Sequence, residues 1–172
     1  MIVREKHLII NSYHPYAETL NKKLLVESEE CGWPLSYQTN VKGQMSFYNF
    51  TSDTTEIIKK WIINILLNEY SWLSKFGPLS IIDCWVAKYN VGDYTISHDH
   101  VPYPFSWVYF INCPKGSSPL VFTTSGKKIK AEDGKVIIFP GCLNHHVPKN
   151  KCDNRVVLAG NVVGGYGSFE NG

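Results

Sequence analysis

The chain has 172 residues, a formal net charge of +2, 44% hydrophobic residues, 13% aromatic and 19% charged. That length supports a core without disulfide or metal staples, and the balance excludes a disordered or fibrous chain. The charge argues against an extended nucleic-acid footprint, because phosphate binding shows as clustered Lys and Arg; the nearest cluster, Lys127-Lys128-Ile129-Lys130, reads as a solvated hairpin face.

Residues 7 to 12 read as a short strand. A helix is expected from Tyr16 to about Glu29, with Leu20, Leu24 and Leu25 on one stripe, ended by Cys31-Gly-Trp-Pro34. Gln44 to Phe50 is a strand candidate. Asp53-Thr-Thr-Glu56 has capping-box spacing, with Asp53 as N-cap, ahead of Ile58, Trp61, Ile62, Ile65, Leu66 and Leu73 at helical intervals; Gly77-Pro78 stops that helix.

From residue 79 the pattern changes to short apolar runs broken by turn residues. Strands are expected at 80 to 90, 96 to 100, 105 to 112, 119 to 123, 127 to 131, 134 to 139 and 155 to 163, with Pro140 to Asn154 as a break. Helices followed by strands predict an α+β, mainly β fold: a double-stranded β-helix, or jelly roll, with N-terminal helices packed on one face. One domain is expected over 1–172, helical to about residue 78 and a jelly-roll core from about 79 to 163.

Five cysteines, with no CxxC pair, indicate neither a zinc ribbon nor a disulfide framework and suggest reduced thiols in a cytoplasmic protein. The first residues do not resemble a secretory signal, and no stretch approaches the roughly 20 apolar residues needed to span a membrane. The sequon at Asn49 is therefore expected to stay unmodified.

The chemistry gathers around Ser97-His98-Asp99-His100. In an extended run, His98 and His100 share a face while Asp99 points away, and two imidazoles on one face are half of a metal site. A third histidine is available in His145-His146, of which one is expected to face away. Arg155 opens a strand on which Arg155, Val157, Ala159 and Asn161 share a face. A guanidinium inside a barrel needs a carboxylate, which an acidic ligand would supply with two hydrogen bonds. The alternatives are a polar surface for His98 and His100, and a rim salt bridge from Arg155 to Asp153 or Glu132.

These residues, in order, resemble the 2-oxoglutarate and Fe(II)-dependent oxygenases, in particular the prolyl hydroxylase-like branch and small oxygenase-like proteins of bacteria and tailed phages. The resemblance spans roughly Trp85 to Asn161: Tyr89 and Gly92, His98-x-His100, Phe105 to Phe110, Gly134 before Val136-Ile-Ile-Phe-Pro140, His145-His-Val147, Arg155 and Asn161. It implies Fe(II) held by His98, His100 and His145, with Arg155 binding the distal carboxylate of 2-oxoglutarate. Tyr89, Tyr109 and Asn161 are cosubstrate-pocket candidates, and both tyrosines are equally candidates for core aromatics. It further implies O2 as co-reactant, ascorbate as an auxiliary, and a host-cytoplasmic setting if phage-encoded.

The departure is His100, since the commoner pattern is His-x-Asp. Asp99 replaces His100 as ligand only if the strand twists or bulges there. Trp85, Tyr94, Tyr103 and Trp107 are candidates for a substrate wall or for core. Two rivals remain: a three-histidine cupin-type dioxygenase without 2-oxoglutarate, and a non-catalytic jelly-roll binding or virion module with structural or zinc-holding histidines.

Overall fold

The computed structural model describes residues 8–164. The chain forms β1 (Ile10–Tyr13), α1 (Ala17–Glu30), β2 (Val41–Lys42), β3 (Gln44–Met45), α2 (Asp53–Glu69), a 3-10 helix (Ser71–Phe76), and then eight strands. These are β4 (Leu79–Tyr89), β5 (Tyr94–His98), β6 (Phe105–Asn112), β7 (Leu120–Phe122), β8 (Lys128–Ile129), β9 (Lys135–Pro140), β10 (His145–Val147) and β11 (Arg155–Gly164). A six-stranded sheet runs β1-β9-β6-β11-β4-β3 and a five-stranded sheet runs β2-β5-β10-β7-β8. Every ladder in both is antiparallel. The result is the double-stranded β-helix expected from the sequence, mainly β, with both α-helices against the larger sheet.

The larger sheet is buried on both faces, and the two-residue period of a strand decides which side chain goes where. Val156, Leu158 and Val162 of β11, Val136 and Ile138 of β9, and Cys84 and Val86 of β4 join Leu20, Leu24, Ile58, Ile62 and Leu66 of the helices in one apolar layer. The alternate residues, Val157 and Ala159, Ile137 and Phe139, and Trp85, Ala87 and Tyr89, point between the two sheets. Fully burying a side chain of the Leu or Ile class stabilises by about 1.5–3 kcal/mol, so each strand is held from both sides.

This phase corrects one expectation. Tyr109, a candidate for the cosubstrate pocket, has the parity of Trp107 and Ile111 and lies in the helix-facing layer. Its hydroxyl donates to Asn21 Oδ1 of α1 (2.7 Å), and its ring meets Trp61 of α2 edge-on. Asn21 Nδ2 in turn donates to the Ile111 carbonyl (2.7 Å), so a buried polar pair ties α1 to β6.

Other boundaries also move. The N-cap of α2 is Ser52, not Asp53: Ser52 Oγ accepts the Thr55 N–H while Thr55 Oγ1 accepts the Ser52 N–H, a reciprocal box built from hydroxyls. Asp53 and Glu56 stay in the first turn, where the helix dipole favours them. The helix ends at Glu69, and Leu73 belongs to the 3-10 turn that follows. Regular pairing at 44–50 shrinks to Gln44–Met45, with an isolated bridge from Asn49 to Cys84. The first strand begins at Ile10; His7 lies outside the described residues. Val41–Lys42 and His145–Val147 pair as strands that the sequence did not announce. Lys127, Lys128 and Lys130 are exposed on the β7–β8 hairpin, and all five cysteines are free thiols. Among the described residues no helix is long and apolar enough to cross a membrane.

Tyr109→Phe should lower the stability to denaturant by about 1–2 kcal/mol, because Asn21 Oδ1 is left buried and unpaired. Binding of small ligands in the barrel should be unchanged. An urea melt beside a ligand titration checks both.

Candidate metal centre and the cavity behind it

β10 lies between β5 and β7, and its register sets His145 directly opposite His98. β5 ends at His98, so His100 stands just past the strand rather than within it. There it heads a tight turn in which the Tyr103 N–H donates to the His100 carbonyl (2.8 Å), while the His100 N–H donates to the Gly141 carbonyl (2.8 Å). A Cβ at Gly141 would overlap the Tyr103 carbonyl oxygen, so this close approach needs glycine. The turn brings the His100 ring to 4.9 Å from that of His98 and 5.1 Å from that of His145.

Among the described residues this is one group of three side chains with metal-ligand geometry: one ring nitrogen from each of His98, His100 and His145 lies within 4.8 Å of the others. Two of the rings are oriented through their other nitrogen. His98 Nδ1–H donates to the Ile96 carbonyl (2.7 Å) and His145 Nδ1–H to the Leu143 carbonyl (2.9 Å). A carbonyl only accepts, so Nδ1 carries the proton and the Nε2 lone pair is left for a metal. Burial pushes His145 down to about 3 and His100 down to about 4, with the nearby His98 adding to each shift, and burial lowers His98 too. Neutral imidazole is the form that ligates, and near neutral pH all three are in it.

His146 faces the other way, its Nδ1 3.0 Å from Thr123 Oγ1, which contacts Ser97 Oγ at 2.7 Å. Asp99 is exposed and its carboxylate accepts the Val101 N–H (3.2 Å), so no bulge turns it inward. The group therefore contains His145 and His100 rather than His146 and Asp99.

A cavity between the sheets runs from these imidazoles to Arg155, with Trp85, Tyr89, Phe139 and Ala159 among its walls. Arg155 is 1% exposed. Its Nε donates to the Ser118 carbonyl (3.1 Å), and its guanidinium lies 4.7 Å from the Tyr89 ring centre and 5.5 Å from that of Phe110. Nη1 has no hydrogen-bond partner. The rim alternatives are occupied elsewhere: Asp153 accepts the Val91 N–H, and Glu132 binds Lys130, Lys135 and Tyr13. Burial lowers the Arg155 pKa, yet a guanidinium stays charged, so an unpaired donor sits beside an apolar cavity. A planar carboxylate is the group that satisfies it.

Tyr89 lines this cavity, its hydroxyl 2.7 Å from Thr95 Oγ1 and its ring under the guanidinium. Asn161 shares the β11 face but lies outside this chamber, at the outer mouth. Its amide is committed: Nδ2 donates to Asp83 Oδ2 (2.8 Å) and Oδ1 accepts from Ser106 Oγ (2.7 Å). Of the aromatics weighed as substrate wall or core, Trp107 is fully buried, Tyr94 is exposed, and Trp85 and Tyr103 border the mouth. Sequence reasoning passed over Ser118, Thr95, Gly141 and Asp83. Only Gly141, just after Phe139-Pro140, carried a local signal, as a glycine beside a candidate ligand segment.

Comparison with models of known protein families finds no match, and comparison with curated proteins finds none. Among solved structures, a viral collagen prolyl hydroxylase from Paramecium bursaria Chlorella virus-1, in complex with 2OG, superposes with a TM-score of 0.72 at 15% identity, covering 90% of this chain and 94% of that one. A Pseudomonas putida prolyl-4-hydroxylase gives 0.71 at 17% identity, covering 91% and 92%. A prolyl hydroxylase from Trichoplax adhaerens, bound to a hypoxia inducible factor oxygen degradation domain peptide fragment, gives 0.60 at 13% identity, covering 90% and 82%. The chain therefore has the fold of the prolyl hydroxylase-like 2-oxoglutarate/Fe(II) oxygenases.

Proposed function

We propose that the protein is a non-haem Fe(II)- and 2-oxoglutarate-dependent dioxygenase that hydroxylates a peptidyl, proline-like substrate or a small molecule. One observation carries this reading. Three inward-facing imidazoles and a buried guanidinium whose Nη1 has no partner share one cavity. The first set suits a first-row metal, and the second suits the far carboxylate of a dicarboxylic acid. The prolyl hydroxylases of like fold, one in complex with 2OG and one with a peptide, support both the cosubstrate and a peptidyl substrate.

His98, His100 and His145 would hold the iron, and three protein donors leave positions open for cosubstrate and oxygen. Bound there, the metal with 2-oxoglutarate and O2 supplies oxidative decarboxylation coupled to oxygen insertion into an unactivated C–H bond. The chain's own work is positional. Arg155 binds the far carboxylate, Tyr89 and Phe110 hold the guanidinium between their rings, and Phe139 and Ala159 help keep water from the chamber. The all-imidazole donor set favours a second reading, a cupin-type dioxygenase that does not use 2-oxoglutarate. Three neutral donors leave the full 2+ charge on the metal, and a dianionic cosubstrate would neutralise it, so Arg155 decides between the two.

Wild-type protein given Fe(II), O2 and 2-oxoglutarate should release succinate, and its complete absence with candidate peptides and small molecules present overturns the proposal. Arg155→Ala should raise the 2-oxoglutarate KM on the order of 100-fold with iron content unchanged; an unaltered KM favours the cupin-type reading. Metal analysis should show iron lost from His98→Ala and His145→Ala but kept by His146→Ala. Gly141→Ala should weaken iron binding by about 10–100-fold by displacing the His100 turn, at wild-type metal stoichiometry under saturating iron.

A further inference from the structure

A second cavity opens on the outer side of the three histidines. Trp85, His98 and His100 belong to both chambers, so whatever occupies the outer one lies against the candidate metal centre. Its walls are aromatic: Tyr48 is 46% exposed and meets Trp85 edge-on with ring centres 5.3 Å apart, and Trp85 lies tilted over His100. Tyr103 borders it from the turn. The Tyr48 segment is fixed to β4, because the Cys84 N–H donates to the Tyr48 carbonyl (2.7 Å) and the Phe50 N–H to the Cys84 carbonyl (2.9 Å).

Asp83 stands in this wall two residues before Trp85, on the same face of β4. Its two oxygens each accept one hydrogen bond from Asn161, from the backbone N–H and from Nδ2, both at 2.8 Å. These neutral donors fix the carboxylate without cancelling its charge. Among the described residues the ion pairs involve other carboxylates, and no Lys or Arg pairs with Asp83. That charge acts on the neighbouring phenols, raising Tyr103, which also hydrogen-bonds with Asp83, and adding to the burial that raises Tyr48. Asp99 adds a second negative charge at the rim.

We propose that the outer cavity binds a cationic group, a protonated amine or guanidinium, held by Asp83 against the faces of Tyr48 and Trp85. The primary substrate is then a cationic one, an identification that rests on the dioxygenase reading above. A carboxylate with aromatic faces beside it matches a cation through charge and through the ring quadrupoles. A neutral substrate sealing the mouth would cover Asp83 with only hydrogen bonds from neutral groups, two of them from Asn161, whereas a cation would pair with it directly.

The test is calorimetric titration of the protein under anaerobic conditions, with and without Fe(II) and 2-oxoglutarate. The probes are acetyl-Gly-Lys-Gly-amide, its neutral isostere acetyl-Gly-norleucine-Gly-amide, acetyl-Gly-Pro-Gly-amide and free L-lysine. The lysine peptide or free lysine should bind at least about 10-fold tighter than the norleucine peptide, the preference shrinking with added salt. Binding of the peptide alone assigns a polypeptide substrate, and equal binding of free lysine assigns a small amine; each supports the proposal. Asp83→Asn should abolish the preference. Tyr48→Leu, at a half-exposed position, should reduce it and serves if the Asp83 variant does not fold. Equal binding of the lysine and norleucine peptides, or tightest binding of the proline peptide, overturns the proposal even where iron and 2-oxoglutarate turnover are intact. A clear lysine preference in protein that never converts 2-oxoglutarate upholds the cation site and overturns the dioxygenase reading instead.

Discussion

The burial of β11 on both faces is the constraint from which the rest of the architecture follows. It pairs with β4 on one side and β6 on the other, so its backbone groups are satisfied along most of its length and its side chains must divide between two dry layers. Val156, Leu158 and Val162 go to the helices; Arg155, Val157 and Ala159 go between the sheets. The same alternation in β4, β6 and β9 makes the larger sheet a two-sided partition. A guanidinium at the end of such a strand cannot reach water, and the structure holds it with one carbonyl and two aromatic rings while leaving Nη1 free.

The smaller sheet does different work. Its short strands contribute less to the core than they do to geometry, since β10 inserts between β5 and β7 and sets His145 opposite His98. His100 completes the group from outside the sheet, through a turn that leans on Gly141. The rings are aimed by backbone carbonyls two residues upstream, Ile96 for His98 and Leu143 for His145. That arrangement orients a nitrogen lone pair through neutral acceptors, and burial keeps the imidazoles neutral.

Electrically the interior is arranged as separated charges, with a cation at the closed end, uncharged donors in the middle and a carboxylate at the mouth. Each charge is held by neutral partners, Ser118 and two rings for Arg155 and the amide of Asn161 for Asp83. Charges stabilised in this way remain available to a ligand. Asn161 thus serves the barrel as a clamp on Asp83 and a link to Ser106.

Much of this was legible in the chain itself. The shift near residue 79 from helical periodicity to short apolar runs broken by turn residues specified the class of fold, because runs of that length between turns fit strands rather than helices. His98 and His100 could be named as candidates because they share one face of an extended run, Arg155 because a guanidinium inside a barrel needs a carboxylate, and His145 through the family resemblance. The side of the sheet occupied by Tyr109 was not legible: in Phe105 to Ile111 neighbouring residues are almost all apolar, and a strand buried on both faces carries no polar mark to set its phase. The choice of His145 over His146, and of His100 over Asp99, also needed the tertiary structure. Those choices depend on the register of β10 against β5 and on a turn packed against Gly141, and both are contacts between segments some 40 or more residues apart, which local sequence does not encode.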